Sequence, residues 1–146
     1  MKSLKKTKMR KLTFILGIAM TMLAMSCEKS DPDGLWDPIK TDRSMVIMPK
    51  AGGRDTIRLL NYSSWWMDQV DVRVNDTTVH HYPDFEGDVH SMQGEWFSLT
   101  IPQEHRNLLV IELQENSRPD WPRELNIGVT VGDAFTSVRV LQDAAE

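Results

Sequence analysis

Five tryptophans stand in 146 residues, and two of them are adjacent, Trp65 and Trp66 in "NYSSWWMDQV". Indoles serve a small protein in two ways. Exposed and flat, a ring can lie against the C–H side of a sugar; buried, it dominates the energetics of a core. Trp96 in "EWFSLTI" and Trp121 in "RPDWPRE" pose the same alternatives. A second group with chemical potential is "HHYPDFEGDVH", which sets His80, His81 and His90 among Asp84, Glu86 and Asp88. A metal site needs three or four such side chains to converge in tetrahedral or octahedral geometry. Adjacent His80 and His81 point apart on a strand and cannot easily ligate together. The preferred reading is a solvated polar loop. Glycoside hydrolysis needs two carboxylates facing each other across a cleft, but the acids here are scattered over turns and outward strand positions. No Gly-x-Ser-x-Gly elbow and no phosphate-binding loop occurs. The sequence therefore predicts no catalytic residue, no metal ligand set and no cofactor.

The remaining reactive side chain is Cys27, the only cysteine. It follows a basic segment, "MKSLKKTKMRK", and an apolar run, "LTFILGIAMTMLAM", of 14 residues. That run is too short for a standard membrane span and suits the hydrophobic region of an export signal. A lone cysteine in an exported protein cannot close an internal disulfide, so it needs another explanation. "LAMSC" resembles the bacterial lipobox, with Ala24 and Ser26 at its small positions. The resemblance implies cleavage before Cys27 and acylation of that residue. Stable attachment takes more than one acyl chain, and lipoproteins of this kind typically carry several. The predicted organisation is a signal peptide over 1–26, an acylated cysteine and flexible tether over 27–41, and a folded domain over 42–146. The tether, "EKSDPDGLWDPIKTD", is polar and broken by proline and glycine. Its acids resemble the surface-export signal of Bacteroidetes lipoproteins, interrupted by Lys29; an ordinary linker in the periplasm is the alternative.

Charge narrows the partners. The first 26 residues hold six basic side chains and no acid; without them, 11 basic residues remain against 21 acidic ones, a net of −10. Such a surface suits neither nucleic acid phosphates nor an anionic bilayer. The predicted membrane contact is the lipid anchor alone.

What would position the tryptophans is a series of short strands. "SMVIMP", "GGRDTIRLL", "QVDVRVN", "WFSLTIP", "NLLVIELQ", "ELNIGVTV" and "FTSVRVLQ" follow the two-residue period of half-buried strands. Val70, Val72 and Val74 form one inward row, as do Leu109, Ile111 and Leu113. Gly52-Gly53 reads as a turn, and Gly132-Asp133 as a tight hairpin. "TTVHHY" is a candidate eighth strand within an irregular stretch over 75–95. No segment after Cys27 sustains a helical period. The prediction is an all-β, immunoglobulin-like β-sandwich of seven to eight strands, without the disulfide of antibody domains. Residues 1–41 contribute no strand to it.

A family resemblance rests on the order of Gly53, Asn61, Trp65-Trp66, Trp96-Phe97, Asn116, Arg123 and Gln142, spread over residues 42 to 144. This pattern resembles the BACON domain, the Bacteroidetes-associated carbohydrate-binding often N-terminal domain. The resemblance implies a sandwich and brings a proposal of glycan or mucin binding; in multi-module glycosidases the same domain also looks like a spacer.

Neighbours on a strand face opposite ways. Counted back unbroken from Val70, Trp66 faces inward and Trp65 outward; a bulge near Met67-Asp68 would reverse this. The same counting puts Phe97 inward and Trp96 outward. Trp121 reads as a loop anchor or a ligand contact. Weighed together, the preferred reading makes the indoles core filler. The chain is then a non-catalytic envelope lipoprotein of the outer membrane, periplasmic or surface-exposed, whose sandwich is a structural or interaction module. The first alternative is a glycan-binding module using Trp65, Trp96 or Trp121 with Asp71, Arg73 or Asn116. The second is a metal-dependent envelope enzyme built on the histidine-rich loop.

Overall fold

The structure is a computed structural model and describes residues 36–144. The predicted signal peptide, Cys27 and the first part of the tether lie outside the described residues. Nine strands follow one another: β1 Met45–Met48, β2 Gly53–Arg58, β3 Trp66–Val74, β4 Thr77–His81, β5 Ser91–Gln93, β6 Phe97–Thr100, β7 Leu108–Leu113, β8 Arg123–Val131 and β9 Ala134–Gln142. They form a five-stranded sheet in the order β1-β9-β8-β3-β4 and a four-stranded sheet in the order β2-β7-β6-β5. All pairs are antiparallel except β1 with β9, where the first strand runs parallel to the last. This is an immunoglobulin-like β-sandwich, all-β as expected, with nine strands in place of seven or eight.

The seven strands expected from the sequence all form. Their inward rows fuse into one core, with Leu125, Ile127, Val129, Val138 and Val140 from one sheet meeting Ile57, Leu99, Leu109 and Ile111 from the other. The candidate eighth strand is β4, joined to β3 by a two-residue turn in which Asn75 adopts a φ of 56°. The ninth, β5, carries a single buried residue, Met92, and is too short to show a period. Gly132 takes a φ of 54° in the β8–β9 hairpin while Asp133 does not enter positive φ, as a type II′ turn requires. Gly52, at a φ of 75°, brings its Cα against the Leu113 carbonyl oxygen with no room for a Cβ.

The boundary of the fold differs from the expected one. Residues 36–41, assigned from sequence to the tether, belong to the compact unit that starts at Trp36. Thr41 pairs with Leu59 in an isolated antiparallel bridge. The Leu60 amide donates to the Lys40 carbonyl at 2.8 Å. The Asn61 side chain accepts from the Lys40 amide at 2.9 Å and donates to the Pro38 carbonyl at 3.0 Å. The Tyr62 hydroxyl donates to the Asp37 carbonyl at 2.8 Å. Ile39 packs against the core, and the Trp36 indole lies over Gly132. The composition of this segment is that of a linker; what orders it is a carboxamide and a phenol more than twenty residues downstream.

Candidate functional site

The adjacent tryptophans are oriented by a bulge. Along β3, Met67 pairs with Val129 and Val70 with Ile127, so Asp68 and Gln69 together oppose Gly128. One extra residue shifts the alternation by one and reverses everything before it. Trp65 is therefore turned inward, 1% exposed, and Trp66 takes the outer face, half-buried. The outward orientation counted for Trp65 is corrected on this ground. Its indole N–H donates to the Arg106 carbonyl oxygen, which ties the β6–β7 loop to the core. The outward orientation of Trp96 is corrected as well. Trp96 precedes β6, in a turn closed by Gly94 N–H to the Phe97 carbonyl at 2.9 Å, where strand alternation does not apply. Its ring is 8% exposed, edge-on to Phe97 at 5.5 Å and roofed by the Arg123 guanidinium at 4.8 Å. Neither ring presents a face to a sugar.

Trp121 differs. Its carbonyl accepts from the Asn116 side chain at 2.9 Å, while its ring remains 43% exposed, with the Arg118 guanidinium 5.9 Å away. It is an anchor through its backbone and a free indole at the surface. Asn116 is buried and also donates to the Asp143 carbonyl at 3.1 Å and accepts from the Arg118 amide at 3.3 Å. Buried Gln142 donates to the Gln114 carbonyl at 2.8 Å and to the Lys50 and Pro49 carbonyls at 3.3 and 3.4 Å. Arg123 donates to the Glu115 carbonyl at 3.3 Å. These side chains, all part of the family-like pattern, join the β1–β2 turn, the 114–122 loop and the C-terminal residues. Buried polar groups of this kind are held by hydrogen bonds, and their role here is to fix loops.

The histidine-rich region is likewise occupied with local structure. His80 sits opposite Asp71 on the outer face of β4 and β3, its Nδ1 2.8 Å from the carboxylate. That contact, reinforced by Gln69 and opposed by burial, holds the Asp71 carboxyl below the usual carboxylate range. His81 points the other way and meets Phe97 edge-on at 5.6 Å. Asp84 accepts from the amides of Glu86 and Gly87 at 3.1 and 3.0 Å. Asp88 accepts from the His90 amide and the Ser91 hydroxyl, both at 2.8 Å, and these two bonds lower its pKa. Among the described residues, no three histidine, cysteine or acidic side chains come together as a metal would require. Asp71 and Arg73, weighed as polar partners of an aromatic platform, lie on the outer face of β3, away from Trp65 and Trp96.

Two concavities are relevant. A shallow one of about 400 Å³ is lined by Arg73, Arg123, Glu124 and Arg139, and its central pair is a two-bond bridge from Arg139 to Glu124 at 2.6 and 2.9 Å. The second is a groove of about 250 Å³ beneath β4, lined by Val72, Val74, Val79, Trp96, Phe97 and Glu95. Sequence reasoning missed this groove, because it arises where β4 overhangs the β5–β6 turn.

No family model matches the chain, and no curated protein matches it. Among solved structures, it is similar to the NMR structure of a protein from Bacteroides thetaiotaomicron. That chain is 26% identical with a TM-score of 0.58, and the match covers 83% of this chain and 99% of that one. The M1 domain from titin matches at 8% identity and a TM-score of 0.45, over 74% of this chain and 95% of that one.

Proposed function

We propose that this protein is a non-catalytic lipoprotein of the outer membrane whose BACON-like sandwich serves as an interaction module. The observation that carries the reading is the employment of its chemically capable side chains. Trp65 and Trp96 fill the core, Asn116 and Gln142 hold loops, and Asp84 and Asp88 shape their own turn. The basic, apolar and small-residue run into Cys27 supports the lipid anchor. Similarity over 99% of the length of a protein from Bacteroides thetaiotaomicron agrees with an origin among bacteria of that group. Function then resides in what the outer surface touches. Cys27→Ser is expected to leave the sandwich folded and move the protein from the detergent phase to the aqueous phase; a mutant that still fractionates with membranes refutes the anchor.

A glycan-binding module is the second reading, and one observation favours it: the Trp121 indole is exposed beside Arg118. The binding role passes from Trp65 and Trp96 to this loop. Affinity electrophoresis in mucin or plant polysaccharide gels distinguishes the two readings. Retardation removed by Trp121→Ala establishes glycan binding, and no retardation in any gel dismisses it.

A further inference from the structure

Sheet edges are where β-proteins meet one another, and of the four edge strands of this sandwich β4 is the longest without a charged residue or proline within it. Native edges are protected by charges, proline, bulges, extreme shortness or a covering segment. β2 carries Arg54, Asp55 and Arg58, and its end is covered by Asp42, whose amide donates to the Arg58 carbonyl at 2.9 Å. β5 has three residues, and β1 has four and runs into Pro49 and Lys50. β4 has five residues, Thr77–His81, with no lysine, arginine, carboxylate or proline among them. It is the last strand of its sheet and pairs only with β3 among the described residues. Directly beneath it lies the apolar groove of Val72, Val74, Trp96 and Phe97. Val79, on the inward side of β4, is 50% exposed at the mouth of that groove.

We propose that β4 is a docking edge that receives an extended, basic segment of a partner protein as a sixth strand of the sheet. An added strand satisfies the open backbone groups of β4, and its side chain opposite Val79 lies over the groove. Backbone pairing supplies affinity and the pocket supplies selectivity, the recognised mode of strand addition. An aliphatic residue of valine or leucine size suits an apolar groove of about 250 Å³. Charge selects the rest of the segment. Asp76 precedes β4, Glu95 stands at the groove, and Asp84, Glu86 and Asp88 follow in the next loop, all exposed. Among the described residues no lysine or arginine lines the groove; its titratable lining residues are Glu95 and His81, and the Arg123 guanidinium lies over Trp96. The same acidity argues against a second copy of this chain, whose net charge after residue 26 is −10. The proposal rests on the interaction-module reading and names its surface.

The test uses the full chain in detergent and a labelled nine-residue peptide alternating valine with lysine or threonine. Expected are saturable binding by fluorescence anisotropy and slowed amide exchange within Thr77–His81. Replacing the peptide lysines by glutamate weakens binding at least about tenfold. Val79→Asp, which would attract a basic peptide by charge alone, also weakens it at least about tenfold because a carboxylate then faces the groove. Val79 is half exposed, so the variant keeps its fold, checked by its thermal transition. Absence of binding at about 1 mM peptide, protection outside β4, or undiminished affinity in Val79→Asp overturns the proposal. So does sedimentation showing that the chain pairs with itself through β4. A partner crosslinked elsewhere on the surface, with β4 exchange unchanged, would sink the docking edge and leave the interaction module standing.

Discussion

Replacing Trp65 separates a buried strut from a surface platform. The indole is 1% exposed and its N–H is bonded to the Arg106 carbonyl. Truncation of a core tryptophan to alanine costs about 3–5 kcal/mol. A domain of this size has a total stability of about 5–15 kcal/mol, so Trp65→Ala removes a large share. Trp65→Phe keeps most of the ring volume and loses the hydrogen bond, at a cost of about 1–2 kcal/mol. That loss corresponds to a fall in Tm of about 5–10 °C. Trp121→Ala is the control: its ring is 43% exposed, and a surface change of this kind costs less than about 1 kcal/mol. Urea unfolding followed by circular dichroism ranks the three variants. If Trp65→Ala shifts the midpoint no more than Trp121→Ala, the inward assignment and the bulge that produces it are wrong.

Three further outcomes follow from the structure. A form starting at residue 42 should fold but be about 2–4 kcal/mol less stable than one starting at residue 36, because it loses four hydrogen bonds to Asn61, Tyr62 and Leu60; equal urea midpoints would return residues 36–41 to the tether. Gly52→Ala should cost about 2 kcal/mol or more, from its φ of 75° and the collision with the Leu113 carbonyl, and a neutral result in thermal melts would contradict that turn geometry. The lowered pKa values of Asp71 and Glu124, set first by His80 and Arg139 respectively, give stability that is fully present above the unfolded carboxylate range near about 4 and is lost as pH falls through the lowered native values. Asp71→Asn should therefore flatten part of the stability-versus-pH curve on its acid side, and an unchanged slope would exclude the contribution.

The fold was legible where residues follow a strict period of two. Val70, Val72 and Leu125 alternate with polar neighbours, and every segment with this period became a strand. Gly132 announced its hairpin because few other residues take positive φ without strain. Departures came where one residue changes a long-range relation. The single extra residue at Asp68-Gln69 inverted Trp65 and Trp66, the reversal weighed for a bulge near Met67-Asp68; counting the alternation unbroken from Val70 gave the opposite orientation. β5 was too short for a period. Residues 36–41 read as linker because their partners, Asn61 and Tyr62, are distant in sequence. The surface beneath β4 was invisible for a related reason. A groove belongs to the gap between two sheets, and single-strand patterning carries no record of how far one sheet overhangs the other.

The parallel pairing of β1 with β9 has a mechanical consequence. The polypeptide enters the sandwich beside the β8–β9 hairpin, where Trp36 covers Gly132, and leaves from the opposite pole beyond Gln142. Nine residues of β9 separate those poles, a span of about 30 Å. Tension applied between an upstream attachment and a cargo fused after residue 144 would pull β1 and β9 in opposite directions along their common axis. The four residue pairs from Met45–Arg139 to Met48–Gln142 would then share the load together instead of parting one after another, and the domain would behave as a stiff spacer between its two ends.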